Sequence, residues 1–230
     1  MKLIIFGPPG SGKGSYASRL EPKLGIKRIA TGDVYRDEMK RGTELGKKVT
    51  DYYKKGELVP DDITIEVLRK KLKEVNENNF ILDGYPRTVE QAKALEKIVK
   101  IDAIILILTH EEILIEKTQA RRICSNTQCD GNYNLADIRK TVDGVEYELP
   151  ALLPKKDMIC DKCGSKLYQR DEDTNLELIK KRLKVYEKQS KPVIDFYKGK
   201  VPFINIFMNR PPDQLVERIL QGLKNLKLIK

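Results

Sequence analysis

Five short apolar runs stand out along the chain, at residues 2–6 (KLIIF), 27–30 (KRIA), 79–82 (NFIL), 102–108 (DAIILIL) and 201–207 (VPFINIF). Each is bounded by glycine or polar residues, which predicts buried strands. Longer stretches between them repeat apolar positions with helical spacing. In residues 61–75, Asp61 and Asp62 are cap candidates, and Ile63, Val67, Leu68, Leu72 and Val75 fall along one face. Residues 174–198 and 211–228 follow the same logic, the latter with Pro211 and Pro212 before the first turn. Strands alternating with helices predict an α/β fold: a five-stranded parallel sheet with helices on both faces, binding ligands at the carboxyl ends of its strands.

Two regions break the alternation. Residues 31–59 read as two or three short helices punctuated by Gly42, Gly46 and Gly56. From about 121 to 173 the apolar periodicity disappears, turn signals accumulate and all four cysteines appear, which marks an inserted module. No sustained internal repeat is present.

Composition narrows the class further. A chain of 230 residues buries one sizeable core with room for smaller inserted modules. No apolar run is long enough for a secretion signal or a membrane span, so the expected location is the cytoplasm and no membrane partner is expected. The 44 Lys and Arg against 34 Asp and Glu leave a net charge of +10, which suits nucleic acid and small polyphosphates alike. Abundant Lys and Glu, the absence of Trp and a single His resemble thermophile usage.

The stretch KLIIFGPPGSGKGS at residues 2–15 nearly matches the phosphate-loop pattern. Gly7, Gly10, Gly12 and Gly14 let backbone N–H groups turn inward around an anion, and the helix expected from Ser15 onward turns its positive end toward it. Lys13 would reach the outer phosphates. Gly14, however, stands where a hydroxyl residue usually holds magnesium, which weakens a GTPase or motor ATPase reading and expects magnesium to be held through water.

This loop resembles that of adenylate kinases and related nucleoside monophosphate kinases, in which Gly follows Lys and Ser or Thr comes next. Further motifs similar to that family follow in order: TGDVYR (31–36), GELVPD (56–61), LDGYPRTVEQA (82–92), ARR (120–122), QRDED (169–173) and KKRL (180–183). They extend the resemblance over essentially the whole chain. It implies a phosphate-loop kinase core at 1–30, 60–120 and 174–230, an insert at 31–59 that binds the acceptor monophosphate, and a β-rich, zinc-type lid at 121–173. The implied activity is reversible, magnesium-dependent transfer from ATP to AMP giving two ADP, for adenine nucleotide homeostasis.

The same resemblance implies roles residue by residue. Gly10, Ser11, Gly12, Lys13, Gly14 and Ser15 would bind ATP, with Lys117, Arg121 and Pro211. Thr31, Arg36, Glu57, Leu58, Val59, Gly84, Arg87 and Gln91 would bind AMP, Thr31 and Gln91 facing its base. Arg170 and Arg182 would fold over the phosphates, so that Lys13, Arg87, Arg121, Arg170 and Arg182 carry the catalysis. Asp33 and Asp83 would hold magnesium through water. Lys117 stands where many relatives carry Arg; an ammonium stacks on a base less well than a guanidinium, which leaves donor choice broad. Relatives are commonly monomers.

Cys124 and Cys129, and Cys160 and Cys163, form two close pairs in a chain with no secretion signal. That grouping points to a tetrahedral zinc site, with reduced thiols or a lid disulfide as the alternatives. Four thiolates leave no open position, so the metal would be structural. About thirty residues separate the pairs, and residues 135–153 include an added hairpin with alternating Val142, Val145, Tyr147 and Leu149, a lid extension or a subunit contact. The only histidine, His110, reads as structural or surface. A rival from another class is a zinc-ribbon nucleic-acid adaptor with a phosphate-loop switch, although the module lacks an aromatic-rich strand for base stacking.

Overall fold

The structure, a computed structural model, describes residues 1–75, 78–127 and 129–230, and strands alternate with helices through its first half. β1 (Lys2–Phe6) leads through the glycine-rich loop into α1 (Lys13–Leu24). β2 (Lys27–Ala30) leads into α2 (Thr31–Arg41) and α3 (Glu44–Lys55). Next come α4 (Asp61–Glu74), β3 (Phe80–Asp83), α5 (Val89–Glu96), β4 (Ala103–Leu108) and α6 (Glu111–Gln119). α1 begins two residues earlier than its apolar spacing predicts. Gly12, at φ 79°, takes a left-handed conformation that turns the loop directly into the helix and places Lys13 in its first turn.

The cysteine module comprises β5 (Arg121–Cys124), β6 (Asn132–Asn134), β7 (Ile138–Val142), β8 (Val145–Leu149) and β9 (Leu167–Tyr168). β5 is flanked by β6 and β9, while β7 and β8 form a separate antiparallel hairpin. The chain returns through α7 (Asp171–Thr174), α8 (Leu176–Val185), α9 (Pro192–Tyr197), β10 (Phe203–Phe207) and α10 (Pro212–Asn225). The helical pattern over 174–198 is therefore divided. A π turn at Tyr186–Ser190 closes with Lys191 N–H donating to the Tyr186 carbonyl at 2.8 Å, and Pro192 opens α9. Proline lacks an N–H and crowds the carbonyl four residues earlier, and the wider turn accommodates both facts.

β1 occupies the centre of five parallel strands in the order β10–β4–β1–β3–β2. Its side chains alternate between two apolar layers. Leu3 and Ile5 pack with Ile105 and Ile107 of β4, Leu20 of α1 and Ile219 of α10. Ile4 and Phe6 pack with Leu82, Leu68 of α4, Leu95 of α5 and Tyr197 of α9. Apolar residues on both faces are what a sheet covered on both sides requires, and they explain why its strands read as unbroken apolar runs.

The hairpin folds back on its own chain. Ile138, Tyr147 and Leu149 join the layer formed by α1 and α10. The Tyr147 hydroxyl lies 2.7 Å from Nδ1 of His110 and accepts the His110 backbone N–H at 3.2 Å. Lys140 pairs with Glu112 and Glu116, and Arg210 with Glu146. The apolar side of the hairpin is thus spent inside the molecule, and His110 serves as its anchor.

Candidate active site

The carboxyl ends of β1, β2 and β3 open on a cleft of about 1220 Å³. The glycine-rich loop forms its floor. Lys13 Nζ donates to the carbonyls of Gly7 and Pro8, each at 2.7 Å. Burial lowers its pKa to about 7; Asp83 opposes that shift, while Arg87, Arg182 and Arg121 add to it. An ammonium held this way gains strongly from an arriving anion.

Gly14 is set by space. A Cβ there would lie 3.1 Å from Nη2 of Arg28 and 3.3 Å from Oδ2 of Asp83, so any side chain at this position would press on that ion pair, which would have to give by a few tenths of an ångström.

Arginines from separate elements converge on the walls. Arg121 starts β5, Arg182 projects from α8, Arg36 from α2, and Arg87 follows β3. Asp173 of α7, wholly buried, joins two of them. It accepts Arg121 Nε at 2.8 Å and Nη2 at 2.7 Å, and Arg182 Nη1 at 3.2 Å. Arg36 pairs with Asp33 and lies 3.8 Å from Glu172. Burial lowers the Arg170 pKa to about 9, with Arg36 and Arg121 adding to the effect. Burial would raise the Asp33 carboxyl, but Arg36, Arg28 and Arg170 outweigh it and hold it well below the usual carboxylate range. Cations outnumber the carboxylates that face them, so the cleft favours a polyanion.

The expected site residues divide into two groups. Gly10, Gly12, Lys13, Gly14, Ser15, Asp33, Arg36, Glu57, Leu58, Asp83, Gly84, Arg87, Lys117, Arg121, Arg170 and Arg182 line the cleft. Ser11, Thr31, Val59 and Gln91 are buried behind that wall, and Pro212 rather than Pro211 reaches it. Thr31 donates to the Gly84 carbonyl at 3.1 Å. Gln91 donates to Asp61 at 2.7 Å and accepts the Arg87 backbone N–H at 2.7 Å. Its amide oxygen therefore braces the loop that carries Arg87, and its NH2 group ties that brace to Asp61 of α4. Helix α2 and the cysteine module also touch across the cleft, through Lys40 Nζ to the Ser125 carbonyl at 3.1 Å, and Asn132 of β6 reaches Ser15 at 2.9 Å.

Sequence reasoning missed Arg28 and Asp173. Asp173 lies within the motif QRDED, but nothing local separates it from the solvated Asp171. Arg28 gives a clearer signal, a charged residue inside an apolar run.

The four cysteine sulfurs converge within 4.8 Å of one another, Cys124 to Cys163 at 3.3 Å and Cys129 to Cys160 at 3.7 Å. None of the four is disulfide-bonded in the structure, and these separations are well beyond the S–S bond length. Four sulfurs about 2.3 Å from one zinc ion would stand about 3.8 Å apart, close to the observed spacing. Gly131 makes the clustering possible, since a Cβ there would lie 2.5 Å from the Cys160 sulfur. The donor set and its spacing fit a soft, tetrahedral metal.

A family model described as Adenylate kinase matches residues 5–201. Curated proteins described by the same words are similar along most of their length. That of Archaeoglobus fulgidus is 42% identical over 206 residues, 87% of each chain. That of Caldanaerobacter subterraneus is 39% identical over 229 residues, 97% of this chain and 96% of the relative. That of Thermosipho africanus is 39% identical over 230 residues, 97% of this chain and 100% of the relative. The nucleic-acid reading finds no support among these matches.

Proposed function

The chain belongs to the adenylate kinase family and transfers the terminal phosphoryl group of ATP reversibly to AMP, giving two ADP, and we propose the part its own residues play in that reaction. The supporting observation is the convergence of Lys13, Arg87, Arg121, Arg170 and Arg182 on one cleft above a phosphate loop. The loop and Arg121 bind the ATP phosphates. Arg36 and Arg87 bind the AMP phosphate, Glu57 and Leu58 border its base, and Gln91 and Thr31 hold the Gly84–Arg87 loop in place.

Phosphoryl transfer needs two polyphosphates in line, their repulsion neutralised and water kept out. Arg170 and Arg182 supply forked donors to the oxygens on which charge spreads at the transition state. No side chain is required as a base, and catalysis consists of positioning and electrostatics. Magnesium, when bound with ATP, neutralises its outer phosphates; Asp33 and Asp83, oxygen donors bordering the cleft beside Gly14, would hold its water shell. Zinc at Cys124, Cys129, Cys160 and Cys163 would fix the shape of the lid. Lys117 leaves room for more than one donor base. The hairpin spends its apolar side internally, which favours a monomer, and the chain's chemistry suits the cytoplasm.

ADP formation from ATP, AMP and magnesium tests this reading. Wild type should form ADP rapidly, Lys13→Ala and Arg87→Ala should not, and CMP should replace AMP poorly. No transfer by metal-replete wild type would refute it.

A further inference from the structure

Arg28 belongs to none of the phosphate-clamping motifs, yet it occupies the acidic corner of the cleft. It is the second residue of β2, and its side chain is only 19% exposed. Nη2 donates to Oδ2 of Asp83 at 2.7 Å and lies 2.8 Å from Oδ2 of Asp33, while Nε adds a second bond to Asp83 at 3.0 Å. One guanidinium nitrogen bridges the two carboxylates assigned to magnesium.

The backbone builds this arrangement. Ala30, two residues beyond Arg28, pairs with Asp83 in the β2–β3 register, and Asp33 lies in the first turn of α2, which continues directly from β2. The absent side chain at Gly14 leaves the space the bridge fills. Asp33 has Arg36 as a further partner, and Arg170 at 4.0 Å. For Asp83, Arg28 is the one ion-pair partner among the described residues.

Two carboxylates facing one pocket draw a hydrated divalent ion more strongly when no fixed cation stands between them. Arg28 adds one positive charge to those of Arg36 and Arg170 beside Asp33, is the ion-pair partner of Asp83, and occupies an oxygen of each carboxylate. Resting on the assignment of this cleft to phosphoryl transfer, we propose that Arg28 is an internal counter-cation. It keeps Asp33 and Asp83 from holding a divalent cation until a nucleotide polyphosphate brings further negative charge. Metal then enters with the nucleotide rather than before it, and Arg28 is a positioning residue of the metal-binding corner.

Binding of free Mn²⁺ to the nucleotide-free full chain, read from loss of the free-ion paramagnetic resonance signal, tests this directly. Arg28→Gln should bind Mn²⁺ at least about tenfold more tightly than wild type, because one opposing charge a few ångströms away is gone. Arg28→Met should do the same, Arg28→Lys should stay within about threefold of wild type, and adding Asp83→Asn to Arg28→Gln should abolish the gain. Unchanged or weaker binding in a folded neutral variant overturns the proposal. So does failure of both neutral variants to fold, which would make Arg28 structural. Wild-type ADP formation is measured alongside: its absence faults the kinase reading, whereas unchanged Mn²⁺ binding in variants of an active enzyme faults only this inference.

Discussion

Asp173 and Arg121 meet in a two-pronged ion pair, Nε to Oδ2 at 2.8 Å and Nη2 to Oδ1 at 2.7 Å, with no part of the carboxylate reaching solvent. The same carboxylate holds Arg182. Two cleft arginines, one proposed to bind the ATP phosphates and one to meet the transition state, thus share one buried anchor. Asp173→Asn keeps the shape but removes the carboxylate that Arg121 and Arg182 share, leaving Arg182 with Glu172. It should lower kcat by about 10²-fold and stability by about 3–5 kcal/mol, with the KM for AMP changed less than kcat. Steady-state kinetics and a thermal melt read the two effects separately.

Lys13 gives a pH signature. Its pKa in the nucleotide-free protein is lowered to about 7, chiefly by burial. Polyphosphate beside the ammonium raises that pKa, so nucleotide binding takes up a proton wherever the free protein has lost it. ATP affinity should fall as pH rises from about 7 to about 9 and be level below about pH 6. Calorimetry in buffers of different ionisation enthalpy should record proton uptake at about pH 8, which Lys13→Met abolishes.

The hairpin anchor is testable apart from catalysis. Tyr147→Phe removes the hydroxyl that meets His110 and should cost about 1 kcal/mol, whereas Tyr147→Ala also opens a cavity in the apolar layer and should cost about 3–5 kcal/mol. Denaturant melts give the difference, and sedimentation should report a monomer for wild type and Tyr147→Phe alike.

The cysteine cluster predicts one structural metal per chain. Removing it with a chelator and a thiol reagent should release about one zinc and lower the melting temperature, because folding and metal binding are coupled. Gly131→Ala should weaken zinc retention without touching the phosphate loop, since its methyl group would lie 2.5 Å from the Cys160 sulfur.

Much of this was legible in the chain because the relevant signals are local. The sheet strands announce themselves as apolar runs because both faces are buried, and the phosphate loop lies within one turn of chain. What escaped depends on distant partners. Arg28 acquires meaning only when Asp83, 55 residues on, is brought beside it by strand pairing. Gln91 lies in a recognised motif, but its bond to Asp61, thirty residues earlier, has no local signal. The hairpin's alternation was visible, whereas its docking on His110 and Arg210 joins segments 37 and 64 residues apart. The π turn reflects Pro192 interrupting an otherwise unbroken helical pattern.

In the proposed mechanism the cleft accelerates transfer by clamping developing phosphoryl charge, beyond merely binding two nucleotides. Arg182→Ala separates these most directly, by single-turnover ADP formation beside calorimetric affinities for ATP and AMP. The transfer rate should fall by about 10³-fold while both affinities stay within about fivefold of wild type. Affinities that fall in step with the rate, or a rate left unchanged, would contradict this mechanism.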